Sequence, residues 1–100
     1  MRVENMTSAK GNKIANQFII TDHGRGALGN FDERQTFQSY DSVIAVKTWW
    51  PGKLPRVELD REKWDYSTTT GKYRNLFLGE TKAETQKKID SGEYKLTDLN

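Results

Sequence analysis

Apolar residues occur along this chain in short runs separated by polar clusters, and the spacing changes part-way through. Gln17 to Thr21 holds Phe18-Ile19-Ile20 between polar neighbours and predicts a strand. Asp22 to Glu33 contains three glycines and reads as a loop. Gln35 to Ser39 sets Phe37 between polar residues, as a half-buried strand does. Ser42 to Lys47 is apolar enough for the centre of a sheet. Trp49 to Pro55 must turn, because Pro51-Gly52 and Pro55 interrupt any ladder. Arg56 to Asp60 alternates polar and apolar, the pattern of a strand with one wet face.

Beyond Asp60 the period becomes helical. Tyr73, Leu76 and Phe77 stand at i, i+3 and i+4, which places them on one helical face, and Gly79 supplies a stop. Thr81-Lys82-Ala83-Glu84 is a capping box that opens a helix running to about Asp90, closed by Gly92. Glu93 to Thr97 alternates again as a last strand. Residues 1–15 show little periodicity and read as a flexible N-terminal arm. The expected domain is therefore α+β over residues 16–100: a small antiparallel sheet of three to four strands with one or two short C-terminal helices packed on it. No internal repeat, low-complexity tract or linker interrupts it.

Composition narrows the function classes. Aromatics number 11 in 100 residues, enough to anchor a modest core. Sixteen Lys and Arg against 14 Asp and Glu leave a net charge of +2. The halves are balanced too, with six basic and five acidic groups in residues 1–50 and ten and nine in 51–100. A strongly basic nucleic-acid binder or an acidic mimic of DNA would show a large excess of one sign, so any electrostatic site must be a local patch. There are no cysteines, which excludes disulfides and thiolate metal sites and suits a reducing compartment. No apolar signal core opens the chain, and no segment reaches the roughly 18 apolar residues of a membrane span. The expected location is the host-cell cytoplasm, with no membrane partner.

Several motifs offer chemistry and meet plainer explanations. Gly24 to Gly29 matches G-x-G-x-x-G, but neither the amphipathic helix nor the acidic residue that a dinucleotide site needs follows it. A hairpin loop fits better, and Arg25 with the bare amides is its one candidate for an anion. Gly71-Lys72 lacks the first glycine and the Ser or Thr of a phosphate loop. His23 is the single histidine, too few for a metal site or for a Ser-His-Asp centre. Asp60, Glu62 and Asp65 could do acid–base work or hold a cation. Interleaved with Arg61 and Lys63, they also read as a solvated face with a helix cap at Asp60. The sequence thus predicts no enzyme, no cofactor and no metal.

Binding features are denser. Trp49 and Trp50 fall on opposite faces if they continue a strand, so one can be core and the other an exposed platform beside Lys47, Lys53 and Arg56. The alternative is that both pack. Asp65 to Asn75 is the richest stretch. Its four consecutive hydroxyl residues favour a cap or turn. Tyr66, Lys72, Tyr73, Arg74 and Asn75 suit phosphate contact and base stacking, or equally a capped helix start whose tyrosines are core.

The same residues carry a resemblance. Thr36-Phe37-Gln38-Ser39-Tyr40-Asp41-Ser42-Val43-Ile44-Ala45, Leu59-Asp60, Trp64-Asp65-Tyr66-Ser67, Thr69-Thr70, Lys72-Tyr73-Arg74-Asn75, Phe77-Leu78-Gly79-Glu80 and Ser91-Gly92-Glu93-Tyr94 through Asn100 resemble a family of short uncharacterised proteins, a domain of unknown function encoded by bacteriophages and mobile genetic elements. The likeness covers about residues 16–100, with Gly24 to Glu33 and Trp49 to Pro55 as apparent loop insertions. It implies no catalytic residue. It implies a setting in which small accessory proteins bind and block host machinery, CRISPR-like defence complexes among it. The expectation is a non-catalytic accessory protein that binds a host protein or nucleoprotein complex. The alternative is a small single-stranded nucleic-acid binder using Trp49, Trp50, Tyr66 and Tyr73 with Lys53, Lys72 and Arg74.

Overall fold

Strand pairing, rather than apolar content, organises the first sixty residues. In the computed structural model, which describes residues 1–24 and 31–100, β1 (Arg2–Thr7), β2 (Lys13–Asp22), β3 (Glu33–Ser39), β4 (Ser42–Trp49) and β5 (Arg56–Asp60) form an antiparallel meander in sequence order. Two helices follow, α1 (Thr68–Leu78) and α2 (Lys82–Asp90), and β6 (Tyr94–Thr97) then joins β5 in parallel. A parallel neighbour requires a crossover connection, and the helical segment supplies it. The fold is α+β as expected. The sheet has six strands and mixed direction, where three to four antiparallel strands were expected.

The expected arm at residues 1–15 holds β1 and the start of β2. β1 carries only one buried residue, Met6, so the alternation that announces a strand is missing. Its order comes from the ladder to β2, which pairs Arg2 with Thr21 through Asn5 with Phe18. A turn closes the hairpin: Ser8 N–H donates to the Asn12 carbonyl at 2.8 Å, and Gly11 sits at φ +82, a conformation open to glycine. β4 also runs further than its apolar stretch, taking in Thr48 and Trp49.

One face of the sheet is covered by the helices. A row of inward residues crosses five strands, Ile19–Phe37–Ala45–Leu59–Leu96, with Phe37, Ala45 and Leu59 fully buried. Each large apolar side chain buried here stabilises the fold by about 1.5–3 kcal/mol. A register shift between Phe37 and Gln38 explains how Ile44 and Ala45, adjacent in sequence, are both buried. α1 lies on this face: Phe77 meets Phe37 at 5.7 Å between ring centroids, and the Thr70 and Ser39 hydroxyls are 2.9 Å apart in the interior. Lys47 is roofed by the Phe77 ring at 4.6 Å, and burial holds its ammonium below the usual lysine range, partly offset by Glu80.

α2 is fastened to β6 by polar contacts. The Glu80 carboxylate, almost fully covered, accepts from Lys88 Nζ at 2.6 Å and Thr85 Oγ1 at 2.9 Å, and from the Tyr94 hydroxyl. The capping box forms as expected, with Glu84 N–H donating to Thr81 Oγ1 at 3.2 Å and Thr81 N–H to Glu84 Oε1 at 3.0 Å. The opposite sheet face carries Val3, Phe18, Ile20, Val43 and Val46, and among the described residues no helix covers it.

Candidate macromolecule-binding cleft

The chain between β5 and α1 is pinned at Asp60. Asp60 Oδ2 accepts from Lys63 N–H at 2.9 Å and Glu62 N–H at 3.2 Å, while Oδ1 accepts from Leu99 N–H at 2.8 Å. Burial would raise its pKa, but hydrogen bonds from Leu99, Asn100, Lys63 and Glu62 outweigh that and hold the carboxyl below its ordinary value. The helix cap expected at Asp60 is instead a cap on a turn, since α1 begins only at Thr68 with Ser67 as its N-cap. Asp60 locks the turn after β5 to the end of the chain.

This turn brings residues 64–67 alongside α1. Ser67 adopts extended backbone at φ −151, and its hydroxyl accepts from Thr70 N–H at 3.1 Å, so the hydroxyl run supplies an N-cap and a first turn. The first turn of the helix contains no acidic residue. Arg74, 1% exposed, reaches back beneath the turn. Its Nη1 donates to the Trp64 carbonyl, its Nη2 to Asn75 Oδ1 at 3.0 Å, and its guanidinium stacks on the Trp64 ring at 5.2 Å. Asp65 links it outward, with Oδ1 at 3.5 Å from Arg74 Nη1 and Oδ2 at 2.7 Å from Lys82 Nζ.

Between this turn, α1 and the start of α2 lies a cleft of about 670 Å³. Ser67, Thr68, Gly71, Lys72, Asn75 and Leu76 line one side, a stripe at helical spacing, and Asp65, Tyr66 and Lys82 complete it. Tyr66 is 45% exposed and Leu76 is 59% exposed. Lys63 Nζ sits 5.0 Å from the Tyr66 ring. With Lys72, Lys82 and Arg74 facing a single carboxylate, Asp65, the cleft is locally basic although the chain is nearly neutral. Such a lining can grip an apolar or aromatic group at the rim and a polar or anionic one within.

The expected partner residues divide between two places. Tyr66, Lys72 and Asn75 border the cleft. Trp50, Lys53 and Arg56 border a separate hollow of about 290 Å³ at the β4–β5 turn, with Leu54 90% exposed beside them. Ser39, at one end of the β3–β4 hairpin, holds α1 near its start, and Trp49 stands at the other end opposite Glu33, so the two groups do not form one surface. Trp49 and Trp50 are both half-buried. Lys47, expected beside them, lies under α1.

Two corrections concern α1 itself. Arg74, expected as a surface contact, is a buried anchor. Leu76, expected on the core face with Tyr73 and Phe77, points away from it. The helix turns Thr70, Arg74 and Phe77 inward, with Tyr73 half-buried at the side and packed on the core. Burying Arg74 is feasible because the Trp64 carbonyl and the Asn75 amide meet its charge, a condition invisible in a helical wheel. Lys82 and Leu54 were missed; Lys82 enters through the capping box that fixes α2 beside Asp65. Arg25 lies outside the described residues, as does most of Gly24 to Gly29. His23 is exposed, its Nδ1 3.4 Å from the Asp32 carbonyl oxygen. Among the described residues no group of three or more His, Asp or Glu is placed to hold a metal ion, and no helix is long and apolar enough to cross a membrane.

The model of a family of unknown function (DUF8033) matches residues 1–93. The chain belongs to this family. No curated protein and no solved structure matches it. The match to DUF8033 begins at residue 1, so the family includes β1 as well as the cleft, and not only the stretch from residue 16.

Proposed function

We propose that this chain is a non-catalytic binding domain that docks on a host macromolecule through the α1 cleft. The resemblance to bacteriophage and mobile-element proteins supports an accessory role, of which blocking a CRISPR-like host defence complex is one form. The observation that carries the reading is the pairing of an exposed tyrosine and an exposed leucine, Tyr66 and Leu76, across a basic cleft whose floor is anchored by buried Arg74. Large side chains held in place around a hollow, ringed by charge, are the usual centre of a protein contact. Asp65 ties Arg74 to Lys82 and so positions two of the cleft's three cations, while Lys72 stays exposed.

Affinity capture from host lysate tests this. The tagged chain retains a stoichiometric protein partner, and Tyr66→Ala with Leu76→Ser releases it while the fold persists. Equal capture by the double variant removes the cleft from the account, and no stoichiometric partner removes the function.

Lys63 above the Tyr66 ring, with Lys72 and Lys82 nearby, favours one second reading, a single-stranded nucleic acid whose base stacks on Tyr66. Its affinity would fall steeply with salt. A fluorescence titration with an oligonucleotide at low salt that shows no change removes it.

A further inference from the structure

Among the described residues β1 is an open edge of the sheet: β2 pairs one side of it and no strand pairs the other. An open edge presents unpaired N–H and C=O groups that template another strand. We propose that the occupant is a second copy of this chain, joined β1 to β1 about a two-fold axis through Val3, so that two sheets become one of twelve strands.

The side chains of β1 select both occupant and register. A two-fold axis normal to the sheet keeps like faces together, so a residue can pair only with one an even number of positions away. Arg2 and Glu4 share one face, that of their ladder partners Thr21 and Ile19, and Val3 with Ile20 occupies the other. Centring the pair on Arg2 sets Arg2 against Arg2, and centring it on Glu4 sets Glu4 against Glu4. Like charges directly opposite destabilise a ladder. Centring on Val3 sets Arg2 against Glu4 of the second copy twice over, while Val3 meets Val3.

Three further observations agree. β1 pairs regularly with β2 only through Asn5, before the register shifts, and the Arg2–Glu4 pairs of a ladder centred on Val3 fall within this regular stretch. Val3, 54% exposed, lies beside Ile20 on the uncovered face, so pairing creates a continuous strip Ile20–Val3–Val3–Ile20 across the joint. Among the described residues the helices pack toward β3 and β6 rather than toward β1. In the single chain Arg2 and Glu4 stand 3.5 Å apart with both side chains largely exposed, so pairing replaces one weak contact within each strand by two across the joint.

Sedimentation equilibrium of the full chain at low salt is the test. The wild type is a closed dimer that loosens as salt rises. Arg2→Glu and Glu4→Arg each weaken it roughly tenfold, because each turns two attractive pairs into two repulsive ones. The double exchange R2E/E4R restores it. Both residues are exposed, so thermal melts at a dilution where every form is monomeric show the single variants matching wild type and separate loss of pairing from loss of fold. A monomer up to roughly millimolar concentration overturns the proposal. So does a dimer indifferent to either single variant, a double variant that stays weak, or open-ended growth, which would signal β1 joining β6 instead.

Discussion

Replacing Arg74 by Met keeps most of the stem that fills the space beneath the 64–67 turn but removes the guanidinium. Hydrogen bonds from a charged donor contribute about 1.5–3 kcal/mol each, and the residue makes two, to the Trp64 carbonyl and to Asn75 Oδ1, while its buried Nε has no partner among the described residues. They do not count equally. Asn75 is half-buried and Asp65 about a third exposed, so both can turn to water, whereas the Trp64 carbonyl is left facing an apolar stem. Stacking on Trp64 at 5.2 Å is lost as well. One bond in full, part of the second and a modest stacking term come to about 2–4 kcal/mol, which for a domain of this size is roughly 10–25 °C in Tm. Calorimetry with urea unfolding measures it. Lys72→Met, on the exposed side of the same helix, serves as the control and changes stability by less than about 0.5 kcal/mol. If R74M costs under about 1 kcal/mol, the buried-anchor account is wrong and Arg74 returns to the list of surface contacts.

Other consequences are smaller or pH-dependent. Gly71→Ala stabilises α1 by about 0.5–1 kcal/mol, because a Cβ there meets the Arg74 guanidinium at 3.6–3.9 Å, ordinary contact, and the measured Tm rises. Gly79→Ala goes the other way by about 1 kcal/mol in urea unfolding, since Gly79 ends α1 at φ +70. Burial resists charge on Glu80, but hydrogen bonds from Lys88, Tyr94 and Thr85 and the charge of Lys88 hold its carboxyl below the ordinary 4.5. A lowered carboxyl pKa stabilises the fold above that value and ceases to as pH falls through the lowered one, so acid unfolding of Glu80→Gln shows a shallower slope than wild type below pH 4.5. Burial, with Glu80 beside it, pushes the Tyr94 hydroxyl up to about 12, so alkaline absorbance titration shows one tyrosine ionising late, and Tyr94→Phe removes that step. The sign is opposite to that of Glu80: this contribution is complete below pH 10 and fades as pH rises toward about 12.

Elements whose signal is local were legible in the sequence. The capping box at Thr81 and Glu84, the Gly79 stop and the strands around Phe37, Ile44 and Val57 all follow from neighbours within a few positions. What failed depends on distant partners. β1 exists because β2 offers it a ladder, and only Met6 of its residues is buried. β6 runs parallel because the crossover returns it beside β5, which alternation along Glu93 to Thr97 cannot report. The most consequential miss was the facing of α1. Periodicity ranked Leu76 above Arg74 for the interior, and the reverse holds because the carbonyl of Trp64 and the amide of Asn75 await the guanidinium. Turning Arg74 inward leaves Leu76 outside with Tyr66. The facing of α1 and the candidate site therefore share one cause, a buried charge met by Trp64 of the preceding turn and by Asn75 of the helix itself.

Site-specific photocrosslinking inside host cells tests the central claim most directly. A benzophenone side chain at position 66 should give one discrete adduct with a host macromolecule, and the same probe at Lys10, in the exposed β1–β2 turn, should give none. No adduct at position 66, or equal labelling from both positions, would contradict docking through the cleft.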